Sequence, residues 1–178
     1  MQLPDKTVLI GGQGRMGRMI GERLLQNRVP FTSLDQPLEQ DVLMKEMTDA
    51  GVVLLCIPIT AMDSVLGSVC PYLASGTVLA DIGSVKVVPL QKMMRSYSGP
   101  VVGTHPLFGP APEGDDPLRV AVCPGRDSSG LETIESLFQH LGFRTFRSTA
   151  EDHDRAMAYI QGLNFVTTIS YLSCLPQE

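Results

Sequence analysis

The segment Gly103-Thr104-His105-Pro106-Leu107-Phe108-Gly109-Pro110 sets a titratable ring among glycines and prolines. An apolar run, Pro100 to Gly103, leads into it and predicts a strand. His105 is then expected at the strand's exit, in a loop stiffened by Pro106 and Pro110. Glycines let a ligand approach the backbone closely, and prolines cut the loop's freedom. An imidazole held in this way is a candidate acid–base group, because its ordinary pKa lies near neutral. The chain has three histidines. His140 falls on a polar helix face and reads as surface. His153 falls in the first turn of a predicted helix, between Asp152 and Asp154.

A second constellation lies near the N-terminus. Gly12-Gln13-Gly14-Arg15-Met16-Gly17 fits G-x-G-x-x-G. It follows a predicted strand and opens a predicted helix, the context that gives the pattern physical meaning. Its glycines would serve a tight turn, close approach of a pyrophosphate and close helix–strand packing. The helix N-terminus offers free N–H groups to phosphates. Asp35 ends the next strand, where a carboxylate can accept hydrogen bonds from adenosine ribose hydroxyls. Gln36-Pro37-Leu38-Glu39 contains no cation to neutralise a 2′-phosphate, so NAD is favoured over NADP. A tight turn beside a solvated aspartate is the bland alternative; it does not explain why strand, loop, helix and acid occur together. Cys56, Ile57 and Pro58 close the next buried strand and are expected against the cofactor. Asp81-Ile82-Gly83-Ser84-Val85-Lys86 follows another, bringing the Ser84 hydroxyl and the Lys86 ammonium to the same sheet edge as His105.

The elements that must position these groups alternate. Strands are predicted at 7–10, 31–34, 52–57, 77–82, 100–103, 120–123 and 144–146. Helices are predicted at 15–26, 41–50, 61–73, 88–96 and 131–141. Alternation of this kind implies an α/β fold: a Rossmann-type, doubly wound, mainly parallel sheet. Residues 109–117, rich in Gly, Pro and Asp, read as a surface loop beside the site. Thr149-Ala150-Glu151-Asp152 supplies a helix start, and residues 155–172 read as one long helix apolar on more than one face. Such a helix must be buried by something else. The expected organisation is a nucleotide-binding domain at 1–149, then at 150–178 the start of an all-helical domain that is mostly missing.

Composition narrows the class. With 43% hydrophobic and 19% charged residues, the 178-residue chain is ordinary for a soluble protein. A net charge of −5 argues against a nucleic-acid partner. No apolar run approaches a membrane span, and the first residues lack a signal peptide's pattern. Cys56, Cys70, Cys123 and Cys174 form no C-x-x-C pair; they read as buried free thiols in a reducing cytoplasm, with no metal site expected.

The sequence resembles the prephenate dehydrogenase family. The match rests on 11–17, 81–86, 104–110, and Glu151-Asp152-His153-Asp154 with Met157-Ala158-Tyr159-Ile160-Gln161-Gly162-Leu163, in the family's order. The resemblance implies oxidative decarboxylation of prephenate to 4-hydroxyphenylpyruvate by a homodimer joined through its helical domain. His105 would take the substrate's hydroxyl proton, Ser84 would hydrogen-bond to His105 or to the same oxygen, and Gln161 would contact substrate. Lys86 is expected to anchor its own loop. The family commonly has a histidine just after its Ile-Gln-x-Leu motif; here Asn164 and Phe165 follow. Its substrate-binding cations lie largely in the helical domain. Arogenate or 4-amino-4-deoxyprephenate is an alternative substrate, and a non-catalytic NAD-binding module is the alternative of another class.

Overall fold

The structure, a computed structural model, describes residues 3–112, 114 and 117–175. The chain order is β1 (Thr7–Ile10), α1 (Arg15–Gln26), β2 (Phe31–Leu34), α2 (Gln40–Met47), β3 (Val52–Leu55), α3 (Met62–Val69), β4 (Val78–Asp81), α4 (Val87–Ser96), β5 (Val101–Pro106), β6 (Arg119–Arg126), α5 (Ser128–His140), β7 (Arg144–Arg147), α6 (Ala150–Met157) and α7 (Leu163–Ser173). The helix expected over 61–73 is divided. Short 3-10 turns stand before and after α3, the second containing Pro71, which has no N–H to continue the α-helical ladder.

One seven-stranded sheet has the order β2-β1-β3-β4-β5-β6-β7. The first five strands pair in parallel; β6 is antiparallel to β5, and β7 runs parallel to β6. The chain leaves β1 for β2 on one side and returns to β3 on the other. That reversal opens a crevice at the carboxyl ends of β1 and β3.

Strand alternation divides the core. Leu9, Val52, Leu54, Val78 and Ala80 face a cluster closed by Ile20 and Leu24 of α1 and by Ile134 and Phe138 of α5. Val8, Ile10, Val53, Leu55 and Leu79 face a second cluster closed by α2, α3 and α4. Consecutive apolar residues in β3 are therefore all buried, one set on each face.

Three further expectations are corrected. β5 does not end at Gly103. Antiparallel pairing with β6 carries it on, with His105 opposite Ala121 and Pro106 opposite Val120. His105 lies inside a paired strand and is 5% exposed, not in an exit loop. The long helix starts at Ala150 and is not uniform: a π-helical turn, Ala158–Gly162, separates α6 from α7. The predicted loop 109–117 lies partly outside the described residues, at 113, 115 and 116. Of the cysteines, Cys123 is buried, Cys56 and Cys70 are half-buried, and Cys174 is exposed, so the buried reading fails for Cys174.

Lys86 is wholly buried although charged. Its Nζ donates to both oxygens of Asp81, at 2.6 and 2.5 Å, and to the Thr104 carbonyl at 2.7 Å. Three donors meet three acceptor atoms, which offsets the desolvation of the pair. Lys86 thus anchors its own loop to β4 and β5, as expected. Lys86→Met should destabilise the fold by about 3–5 kcal/mol, because Asp81 is left buried without its partner. Urea unfolding midpoints measure this, and adding Asp81→Leu should recover part of the loss.

Candidate active site

The glycine loop turns sharply at Gly11, where φ is +85°, one residue before the first glycine of the motif. A side chain on Gly11 would also meet the Cys56 carbonyl oxygen at 2.6 Å. Gly17 is needed for a different reason: a Cβ there would stand 2.6 Å from the Gly11 carbonyl oxygen, so only glycine lets α1 close on the loop. Gln13, Gly14 and Arg15 are exposed, whereas Met16 packs on the core and the Gly12 Cα faces Ser33. Gly14 begins α1 and caps it with no side chain. The first N–H groups of α1 are therefore open to an anion.

Asp35 comes onto this loop from β2. Its two carboxylate oxygens accept from the Gln13 N–H at 3.1 and 3.2 Å. On the other side stands the exit of β3. The Cys56 N–H donates to Ile10 at 2.7 Å, and Ile57 packs against Gly11. Burial, with help from Asp81 and Asp35, pushes the Cys56 thiol up to about 12, so it remains an unreactive thiol. Loop, acid and strand exit thus meet at the crevice. The open helix N-terminus and close backbone approach fit a dinucleotide's pyrophosphate, and Asp35 fits a ribose.

Farther along the same sheet edge, Ser84 is exposed in a cleft shared with Pro58, Asp81 and Gly83. His105 opens instead on a neighbouring cleft with Phe108, Met157, Ile160 and Gln161. Phe108 holds one wall by stacking on Phe143, with ring centroids 5.4 Å apart. Gln161 sits in the π-helical turn, a distortion frequent at functional sites. No lysine or arginine is among the described residues lining the His105 cleft.

The direct partner of His105 is not Ser84. His105 Nδ1 lies 2.9 Å from Nε2 of His153, and the two rings meet edge to face. His153 is 4% exposed. Its Nδ1 lies 2.8 Å from Asp154 Oδ1. Asp154 also accepts from the Lys86 N–H at 2.6 Å and the Val87 N–H at 2.9 Å, so it caps α4. Burial works against the Asp154 carboxylate, but these N–H groups and His153 hold it below the usual range. His153 and Asp154 were legible only as part of a family motif. A further signal was available: His153 and Met157 are four residues apart, and both are buried.

Burial lowers the His105 pKa to about 4; His153 and Lys86 add to this, and Asp154 opposes it. The unfolded chain's histidine takes up a proton near pH 6.5, well above the folded value. Between these values the unfolded state holds the extra proton, so stability falls as pH drops from about 6.5 toward 4. Urea midpoints over that range should fall more steeply for the native chain than for His105→Asn. Parallel curves would remove His105 from the acid response.

The family described as "Prephenate dehydrogenase, nucleotide-binding domain" matches residues 34–144. A T-protein of Enterobacter agglomerans is 34% identical over 175 residues, covering 97% of this chain and 46% of that protein. The chain thus spans about half the length of the curated relatives it matches. Among solved structures, prephenate dehydrogenase from Aquifex aeolicus superposes with a TM-score of 0.84 at 16% identity, over 95% of this chain and 70% of that one. The same enzyme in complex with hydroxyphenyl propionate and NAD+ superposes at 0.79 with 15% identity, over 99% and 71%. These structures share the fold, and the family match covers most of the sheet whose edge carries Asp35, Ser84 and His105. The chain belongs to the prephenate dehydrogenase family, as its nucleotide-binding domain.

Proposed function

We propose that this chain forms the NAD-binding and proton-handling part of a dehydrogenase that converts prephenate to 4-hydroxyphenylpyruvate by oxidative decarboxylation. The observation that carries the reading is His105. Its ring opens on a cleft at the sheet edge that also bears the glycine loop and Asp35. NAD is supported by Asp35 on that loop and by the lack of a cation at residues 36–39. The Aquifex aeolicus prephenate dehydrogenase is known in complex with hydroxyphenyl propionate and NAD+.

Gly14, Arg15 and the open turn of α1 would hold the pyrophosphate, Asp35 the ribose, and the Cys56–Pro58 turn the near face of the dinucleotide. When bound, an oxidised nicotinamide supplies an acceptor for the hydride of ring C4. His105 accepts the proton of the C4 hydroxyl, directly or as a hydrogen-bond acceptor. Ser84, in a separate cleft, would contact the same substrate. Gln161, which lines the His105 cleft, would offer its amide to the substrate. Loss of the ring carboxylate as CO2 aromatises the product, so the protein's task is orientation and one proton.

A dianionic substrate needs cations, and the described cleft has none. The exposed apolar residues of α7, among them Leu163, Phe165, Val166 and Ile169, support a helical domain packing there. That domain would bring the carboxylate-binding cations and join two copies as a homodimer. The free thiols support a cytoplasmic setting. The cation-free cleft also favours a second reading for the isolated chain: it binds NAD without turnover.

Isothermal titration of the chain with NAD+ should give saturable binding that survives His105→Asn. No binding would overturn the nucleotide assignment. Full-length protein should produce NADH from prephenate, with arogenate and the 4-amino analogue assayed in parallel. There, His105→Asn should lower kcat by roughly a hundredfold or more, the worth of a general base. Unchanged turnover would remove His105 from the mechanism.

A further inference from the structure

His105 presents a difficulty for the reaction proposed above. A buried, neutral imidazole is a weak base unless the charge it gains goes elsewhere. The charged and titratable groups facing it are His153 and Asp154 from α6 and Lys86 from the start of α4, with Asp81 behind Lys86. Lys86 repels an added proton. Only the Asp154 side can stabilise one.

The hydrogen bonds determine the tautomers. An ionised carboxylate only accepts, so His153 Nδ1 must carry the proton directed at Asp154 Oδ1. A neutral His153 then presents a bare Nε2. The 2.9 Å contact requires His105 Nδ1 to be the donor. His105 Nε2 is left unprotonated. It makes no hydrogen bond among the described residues, and the one side-chain polar atom among them that is buried without a partner is Thr7 Oγ1. His105 Nε2 is therefore an accessible lone pair at the cleft.

We propose that His153 and Asp154 form a proton relay behind His105: as His105 Nε2 takes a proton from the cleft, its Nδ1 proton passes to His153 Nε2, and the positive charge rests beside Asp154. This inference rests on the dehydrogenase reading for its proton source. The substrate O–H bond breaks and an N–H bond forms at His105 Nε2. The His105 Nδ1–H bond breaks and an N–H bond forms at His153 Nε2. The electron pair left on oxygen becomes the C4 carbonyl bond as C4 gives up its hydride to the oxidised dinucleotide. When the C1–CO2 bond breaks, its electron pair moves through the ring to that oxygen, and the phenolate takes the proton back from His105 Nε2. While the proton is held, His105 is neutral in the opposite tautomer and His153 is an imidazolium; its return to the phenolate restores both rings. His153 and Asp154 are positioning residues, since neither is placed against substrate.

The test joins a spectroscopic and a kinetic arm on the full-length protein. Long-range 15N–1H correlation of labelled histidines should show both rings protonated at Nδ1 near neutral pH, with the first added proton on His153. His105 protonated at Nε2 in the resting protein, or the first proton on His105, overturns the relay. His153→Gln leaves the Asp154 cap on α4 intact. It should lower kcat by about tenfold to a hundredfold, leave NAD+ affinity unchanged and shift the pH dependence of kcat. A native pH profile in that variant also overturns the relay. Asp154→Asn should abolish the Nδ1 preference of His153; retention of that preference tells against the tautomer chain. Absence of NADH from every dienol acid tested, with the tautomers as expected, would sink the reaction assignment and leave the relay standing.

Discussion

The buried ammonium of Lys86 holds the site together from two directions. Its side chain ties the carboxyl end of β4, through Asp81, to β5, through the Thr104 carbonyl. Its backbone N–H donates to Asp154 on α6. Thr104 precedes His105, and Asp154 follows His153. One residue therefore fixes both chain segments whose histidines meet. An ammonium in the core is tolerated only when its donors are satisfied. That requirement makes the arrangement demanding: moving β4, β5 or Lys86 alone would leave a buried charge without a partner.

The sheet supplies the second level of order. β1, β3, β4 and β5 are consecutive neighbours, and their carboxyl ends form one edge. Along it stand the glycine loop, the Cys56–Pro58 turn, Ser84 and His105. Parallel pairing places every strand exit on the same side, so nucleotide-type and acid–base features share a face without any contact between their elements in sequence. The change to antiparallel pairing at β6 has a separate effect. It extends β5 past Gly103 and buries His105 within a hydrogen-bonded ladder. Burial lowers the basicity of the ring and fixes its orientation, two consequences of one pairing.

Beyond Met157 the chain changes character. α6 packs on the α/β body through His153 and Met157. After the π-helical turn, every described residue of α7 is exposed, many of them large and apolar. The turn lies between a packed segment and an unpartnered one, and it carries Gln161 beside the His105 cleft. The helix thus closes one site wall while extending an apolar surface away from it.

Local signals account for what was legible in the sequence. Strand, glycine loop, helix and Asp35 could be read because each depends on residues within a few positions or on a strand's reach of each other. The bounds of β1, α1 and β2 follow directly from such patterns. The continuous apolar run at 52–57 likewise predicted a strand covered on both faces. The length of β5, the burial of His105 and its pairing with His153, 48 residues on, were not legible. Each depends on non-local pairing: β6 against β5, and α6 against the start of α4. The sequence by itself determined the residue types able to bind a dinucleotide and move a proton. Only the tertiary structure decided which nitrogen of which histidine faces the cleft, because tautomers are set by hydrogen-bond partners brought together in space.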